Sequence, residues 1–234
     1  MSMRHSILIV ADHASNFIPD RYDNLGLSQE LIDSHIAYDI GVKQLALELS
    51  KKLKAHLVMG NYSRLLIDLN RGIMDPTLIS SISHGVKIFQ NYRLSSRDKK
   101  FRINEIYNNY HDKIYKIINR EKINLIISLH SFNPYYKKKK RNIKFGILSN
   151  SDRRYSDIII DIFNKKGYRV GDNKPYEGNL TEDTMHRHGL SNGILHTLIE
   201  TRNDLLQNSK NISDISNVLF QIIKSSKQRV RKYL

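Results

Sequence analysis

The sequence contains no cysteine. Disulfides, thiolate nucleophiles and zinc sites with thiolate ligands are therefore excluded, and any metal site must use histidine, aspartate or glutamate. Long apolar runs are also missing, since no segment approaches the roughly 20 residues that cross a bilayer. Residues 1–5 precede a short apolar run that meets Asp12 at once, which is not a signal-peptide pattern. We expect a cytoplasmic protein that does not enter a membrane.

The chain also lacks a linker rich in proline, glycine or serine. Its 234 residues are enough for one α/β domain with a substantial core. We therefore predict a single domain over 1–234.

Short apolar runs alternate with amphipathic segments along the chain. Strands are predicted over about 6–12, 55–59, 64–69, 124–132, 142–148, 168–171 and 193–200. Helices are predicted over 28–53, 98–121, 152–166 and 212–233. Residues 73–96 form an irregular excursion and a candidate lid. The alternation indicates an α/β fold, with a mostly parallel sheet that helices cover on both faces.

Polar side chains end several of the predicted strands. They are His13, Asn70 with Arg71, His130 and Glu200. Ligand sites of α/β folds lie at the carboxyl ends of the strands. One such residue is explained equally well by a local hydrogen bond, but the whole set exceeds what packing needs, because a buried unpaired charge costs several kcal/mol.

This set of residue types favours metal-assisted hydrolysis. Two imidazoles and a carboxylate hold a zinc ion that activates a water molecule. A free carboxylate then accepts a proton from the water, while arginines bind an anionic substrate group and the developing oxyanion.

Five motifs in the same order resemble the N-formylglutamate amidohydrolase family, and the resemblance spans about residues 7–206. The motifs are 11–19, 62–71, 127–132, 171–176 and 199–205. That family is similar to zinc carboxypeptidases and succinylglutamate desuccinylases. The resemblance implies a three-layer α/β/α sandwich with a mostly parallel mixed sheet, of the phosphorylase/hydrolase-like zinc-peptidase type, and a Zn²⁺ cofactor.

The resemblance makes His13 and His130 zinc ligands. Carboxypeptidases have a glutamate three residues after the first histidine, but Asn16 occupies that position here. Asp39, in a segment that also resembles the family, is the candidate third ligand, and Asp12 is the alternative. Asp39 is equally compatible with capping the helix that follows it.

The remaining roles also follow from the resemblance. Glu200 corresponds to the general base, although a carboxylate paired with Arg202 is the simpler structural interpretation. Arg64 corresponds to the oxyanion stabiliser, and Asn70 with Arg71 to the pair that binds the substrate α-carboxylate.

The implied substrate is a small anionic N-acyl amino acid such as N-formyl-L-glutamate. Arg202 fits a second substrate carboxylate, or alternatively an ion pair with Asp204 or Asp68. His84 stands where an acidic residue is expected, and this departure leaves another N-acyl amino acid or small amide as an alternative substrate.

The net charge is +15 and the isoelectric point is near 9.8. The densest basic block covers 137–141 and follows two tyrosines. It is a solvated loop, an attractor for an anionic substrate, or a phosphate contact. A basic nucleic-acid-binding protein on a degenerate hydrolase fold is therefore a distant alternative. The sequence predicts no oligomeric state.

Overall fold

The computed structural model describes residues 6–233, so the amino-terminal pattern at 1–5 lies outside the described residues. The strands are β1 Ile7–Ala11, β2 His56–Met59, β3 Ile82–Ser83, β4 Val86–Lys87, β5 Leu125–Phe132, β6 Tyr135–Tyr136, β7 Lys139–Lys140, β8 Phe145–Leu148, β9 Val170–Asp172 and β10 Leu195–Arg202. The α-helices are α1 Gln29–Ile32, α2 Val42–Leu53, α3 Phe89–Tyr92, α4 Ser96–Arg102, α5 Asn109–Glu121, α6 Ser156–Lys165, α7 Thr184–His188 and α8 Ser209–Val230.

The central sheet has six strands in the order β2-β1-β5-β10-β8-β9. The first four run parallel to one another, whereas β8 is antiparallel to β10 and β9 is parallel to β8. The sheet is therefore mixed but mostly parallel. The carboxyl ends of β1, β5 and β10 lie side by side near its middle.

Two apolar cores cover the two faces of this sheet. Alternate residues of β1 and β5 pack against α2, α6 and α8 on one face. The residues between them pack against α5 and the segments before α2 on the other face. Strands buried on both faces explain the continuous apolar runs in the sequence. The predicted three-layer α/β/α sandwich is confirmed.

The predicted strand over 64–69 is wrong, because this segment consists of turns. Its apolar side chains are buried in the second core. Two side chains take the place of a sheet partner: Asn91 Nδ2 donates to the carbonyl of Leu65 at 2.7 Å, and Arg102 Nη1 donates to the carbonyl of Leu66 at 2.8 Å. A short apolar run alone does not distinguish a buried strand from a buried turn. Asn70 and Arg71 consequently follow a buried turn and not a strand.

The predicted helix over 98–121 is present, and a π-helical stretch at Ile103–Asn108 joins α4 to α5. The irregular segment 73–96 contains the small hairpin of β3 and β4 and the single turn of α3. No helix among residues 6–233 is long and apolar enough to span a bilayer.

Candidate active site

Neighbouring strands bring the principal candidates together. Glu200 on β10 is paired in register with His130 on β5, so both side chains lie on the same face of the sheet. His13 follows the end of β1, the strand on the other side of β5. All three residues line one pocket of about 190 Å³. The fold therefore brings these three predicted residues together at this edge of the sheet.

A candidate metal site lies at the base of this pocket. His13, Asp39 and His130 each offer one ligand atom, and these atoms lie within 4.8 Å of one another. Asp39 Oδ2 is 3.6 Å from His13 Nδ1 and 2.9 Å from His130 Nδ1. His13 Nδ1 is buried and has no hydrogen-bond partner among residues 6–233. A nitrogen lone pair left unused beside a carboxylate is the donor arrangement that a cation needs.

A second carboxylate holds each histidine from behind. Asp68 Oδ1 lies 2.7 Å from His13 Nε2, and Asp12 Oδ2 lies 3.1 Å from His130 Nε2. Such carboxylates fix the ring orientation of metal-binding histidines and leave the other nitrogen for the metal. The structure thus places Asp39 in the ligand cluster and Asp12 behind it.

Asp12 is buried and fully hydrogen-bonded. Its Oδ1 accepts from Tyr110 at 2.8 Å and from Thr184 at 2.7 Å, while Ser128 Oγ lies 3.3 Å from Oδ2. Burial opposes ionisation, but the hydrogen bond and positive charge of His130 outweigh it and lower the pKa of Asp12 below its ordinary value. Asp12 therefore remains a carboxylate.

The neighbouring carboxylates also raise the pKa of both histidines. Burial alone would lower the pKa of His130, yet its bonds to Asp12 and Asp39 raise that pKa well above 6.5. The pKa of His13 is likewise raised, because Asp68 and Asp39 outweigh burial. Without a cation, a proton balances this excess of negative charge. A metal ion would replace that proton.

A guanidinium and a backbone N–H group position the Asp39 carboxylate. Arg64 Nη2 donates to Asp39 Oδ1 and to the carbonyl of His35 at 3.1 Å, while the backbone N–H of Ser131 donates to Asp39 Oδ2 at 3.2 Å. Although burial opposes it, the charge of Arg64 lowers the pKa of Asp39 well below its ordinary value. Arg64 lines the pocket as predicted, but part of its guanidinium is occupied by Asp39.

Glu200 is 5% exposed, and its Oε2 atom is buried with no hydrogen-bond partner in the described part of the chain. Burial raises the pKa of this carboxyl to about 7, while the nearby His130 opposes the shift. A carboxyl that exchanges its proton near neutral pH is suited to general acid–base work. The simpler interpretation, an ion pair with Arg202, is wrong, since no such pair forms among residues 6–233.

Asn70 and Arg71 lie in the pocket wall. Asn70 Oδ1 accepts from the backbone N–H of Thr184 at 3.1 Å, which leaves the amide N–H groups of Asn70 available. Arg71 Nη1 donates to the carbonyl of Asn70 at 2.8 Å, and Arg71 Nε donates to Thr77 at 3.1 Å. The two side chains are therefore adjacent and held at one side of the cavity.

Arg202 is not brought into the pocket. Its Nε donates to Asp204 at 2.7 Å, and Nη1 donates to the carbonyl of Arg141 at 2.7 Å. Of the two uses predicted for Arg202, the structure displays the ion pair with Asp204.

Two pocket residues, His35 and Asp183, were not predicted from the sequence, and His84 was noted there only as a departure from the family pattern. The ring centroids of His35 and His84 are 4.9 Å apart, and burial raises the pKa of Asp183 to about 6. Asp183 also accepts from the backbone N–H of His186 at 2.7 Å, as the N-cap of α7. An aspartate that begins a helix carries an ordinary capping signal, so its position in the cavity is visible only in three dimensions.

Comparisons with known proteins show which family and which solved structures this chain is similar to. Residues 5–207 match the family described as N-formylglutamate amidohydrolase. The crystal structure of gene product Atu2144 from Agrobacterium tumefaciens is 31% identical, with a TM-score of 0.92 over 97% of this chain and 92% of that chain. A search of curated proteins finds no significant match.

A second solved structure shares the fold. N-formylglutamate amidohydrolase from Ralstonia eutropha JMP134 is 17% identical, with a TM-score of 0.68 over 99% of this chain and 97% of that chain. The family match covers most of the sequence and includes every motif that contributes to the pocket. The chain therefore belongs to the N-formylglutamate amidohydrolase family.

Proposed function

We propose that this protein is a zinc-dependent amidohydrolase that cleaves N-formyl-L-glutamate to formate and free glutamate. A similar N-acyl amino acid would be cleaved to its carboxylic acid and the free amino acid. The observation that carries the proposal is the cluster of His13, Asp39 and His130 beside the buried, unpartnered Glu200. Family membership supports the same class of reaction.

The three clustered side chains fit a zinc ion. Two imidazole nitrogens and one carboxylate oxygen are a common catalytic zinc set, and the unpartnered His13 Nδ1 is a donor without another use. When bound, the ion supplies Lewis acidity and brings the pKa of a coordinated water towards about 7.

Glu200 is proposed to move the proton. The attacking water forms a bond from its oxygen to the acyl carbon, and Glu200 accepts the proton that this oxygen loses. Glu200 then delivers the proton to the amide nitrogen as the C–N bond breaks. In the metal-free site, burial raises the pKa of Glu200 to about 7, so its protonated form is more accessible for the second step than that of an ordinary glutamate.

The arginines are proposed to bind the negatively charged groups of the substrate and of the tetrahedral intermediate. Arg64 stabilises the oxyanion of the tetrahedral intermediate and also positions Asp39, since Arg64 Nη2 is bonded to Asp39 and Nη1 makes no hydrogen bond among residues 6–233. Asn70 and Arg71 bind the substrate α-carboxylate through their adjacent N–H groups.

The pocket also favours a second candidate, the same hydrolysis of another N-acyl amino acid. Arg202 lies outside the pocket lining, whereas His35, His84 and Asn133 are part of it. Burial lowers the pKa of both histidines, so this surface is neutral and donates hydrogen bonds without a fixed positive charge. Such a surface accommodates polar side chains as well as a glutamate.

A substrate panel tests the proposal and separates the two candidates. Zinc-loaded protein is incubated with N-formyl-L-glutamate, N-formyl-L-glutamine, N-formyl-L-methionine and N-acetyl-L-glutamate, and the released acid and amino acid are both measured. We expect stoichiometric release, with highest kcat/KM for N-formyl-L-glutamate. Preference for the glutamine compound would support the second candidate, and no release from any compound would refute both.

A further inference from the structure

The basic block at 137–141 belongs to a hairpin that lies next to residues of the pocket lining. Strands β6 and β7 pair, with Lys137 and Lys138 at the tip. The hairpin begins two residues after Asn133, which lines the pocket together with the end of β5. The basic hairpin is therefore a direct extension of the pocket wall.

Arg141 fixes the base of the hairpin to that wall. Its guanidinium carbon lies 5.4 Å from the ring centroid of Phe132 and 5.5 Å from that of Tyr176, and both rings line the pocket. Arg141 Nη1 donates to the carbonyl of Asn133 at 3.2 Å, and Arg202 donates to the carbonyl of Arg141. These contacts place the hairpin at a defined position beside the cavity.

The lysines of the hairpin are exposed and carry uncompensated charge. None of the cations at 137–141 forms an ion pair with a carboxylate anywhere in the described chain, 6–233. Consecutive like charges repel one another, and the repulsion is relieved when an anion binds between them. The hairpin therefore presents a positive field directly beside the cavity.

The tip lysines occupy backbone conformations that favour other residues. Lys137 has φ 45° and Lys138 has φ 64°. Hairpin turns of this kind prefer asparagine and glycine, since a positive φ costs roughly 1 kcal/mol for a residue with a Cβ atom. A reason other than local folding is needed for lysine at both positions.

Two other lysines with positive φ have such a reason. Lys54 and Lys122 are the C-caps of α2 and α5, where a cation interacts favourably with the helix dipole. No helix ends at the hairpin tip. Lys54 and Lys122 also precede β2 and β5, so they lie at the opposite edge of the sheet from the pocket.

We propose that the hairpin is a subsite for carboxylates of an acyl chain longer than formyl, so that the substrates include acidic oligopeptides. This inference rests on the proposed function. The carboxyl-terminal amino acid occupies the cavity and its acidic acyl chain lies along the hairpin. Water adds its oxygen to the last amide carbon, the C–N bond breaks, and the proton passes to the released amine.

Binding of fluorescein-labelled hexa-L-glutamate, measured by anisotropy, tests the subsite in a double variant, Lys137→Gly with Lys138→Gly. The matched control is Lys54→Gly with Lys122→Gly, which removes the same charge and relieves the same backbone conformation at the far edge of the sheet. The hairpin variant should bind roughly fivefold more weakly at low salt, and the difference should shrink as salt rises. The control should bind as the wild type does.

Measurements of hydrolysis and of RNA binding separate a failure of the proposed subsite from a failure of the proposed function. The hairpin variant should lose more kcat/KM for release of glutamate from hexa-L-glutamate than for N-formyl-L-glutamate. Equal peptide affinity in the hairpin variant and the wild type would overturn the subsite, as would tighter binding of a single-stranded RNA of equal charge. If zinc-loaded wild type binds the peptide through the hairpin but hydrolyses neither compound, the proposed function fails and the anion site stands.

Discussion

Glu200 combines two properties that rarely occur together without a functional reason. It is buried among pocket residues, and one of its oxygen atoms has no hydrogen-bond partner within the described range 6–233. An arrangement of this kind costs stability, because a carboxylate that loses its hydration needs compensation. The proposed role as proton carrier explains why the cost is retained.

Replacement of Glu200 by glutamine tests that role. The amide has nearly the same shape but cannot accept the proton, so kcat should fall by about two orders of magnitude or more. Zinc content, measured by elemental analysis, should remain at the wild-type level because Glu200 is not one of the clustered ligands. A variant with full zinc and normal kcat would remove Glu200 from the mechanism.

Glu200 should also make stability depend on pH in the metal-free protein. Its pKa is raised from 4.5 to about 7, so the folded state keeps a proton that the unfolded state releases at lower pH. The stabilising contribution is therefore complete below pH 4.5 and is lost as pH rises through about 7.

The matching measurement is urea unfolding in the presence of a chelator. From pH 5 to pH 8, the unfolding free energy of Glu200→Gln should rise relative to wild type by on the order of 1 to 3 kcal/mol. A difference between the two proteins that is constant across this range would show that Glu200 titrates normally.

The carboxylates behind the histidines should tune metal affinity. Asp68→Asn and Asp12→Asn each weaken the bond that orients one imidazole. Zinc affinity, measured by competition with a chelating dye, should fall by about 10- to 100-fold in each variant. Asp112→Asn is the charge-matched control, because Asp112 is exposed on α5. Equal affinities in all these proteins would exclude an orienting role.

Most elements follow from the sequence, and the exceptions have physical causes. The predicted runs that became β1, β5 and β10 are buried on both faces, so their apolar pattern and the polar residues after them were both visible. The apolar run at 64–69 is buried as turns that side chains from distant helices satisfy. Such long-range hydrogen bonds leave no mark on local periodicity.

Long-range contacts also decide which aspartate is the candidate metal ligand. The choice between Asp39 and Asp12 depends on which nitrogen of His130 each carboxylate faces, and spacing along the chain carries no such information. Arg64 and Asp68 entered the site through a buried turn that had been predicted as a strand. Their positions relative to Asp39 and His13 required the fold.

Close packing between elements holds the candidate metal site, and Gly60 makes this testable. A Cβ atom at Gly60 would lie 2.0 Å from the carbonyl oxygen of Asp12 and 2.8 Å from Leu69. Gly60→Ala must therefore displace the chain next to His13. We expect a loss of roughly 1 to 3 kcal/mol in unfolding free energy, together with weaker zinc binding. Unchanged thermal unfolding and zinc affinity would contradict the inferred rigidity.

At the scale of the whole molecule, positive charge and the site are linked. The net charge of +15 is partly concentrated at the hairpin that borders the cavity. A positive field at the mouth of a pocket raises the local concentration of anionic substrates. An anionic substrate, as proposed above, would account for this charge without a nucleic-acid partner.

The central claim is that His13, Asp39 and His130 hold one zinc ion on which hydrolysis depends. The most direct test adds zinc stepwise to chelator-stripped protein and measures formate release from N-formyl-L-glutamate at each step. We expect activity to rise in proportion to zinc and to reach its plateau at one equivalent, and we expect no activity in a His130→Ala variant. Activity that persists in the stripped protein, or one bound equivalent without formate release, would contradict the account.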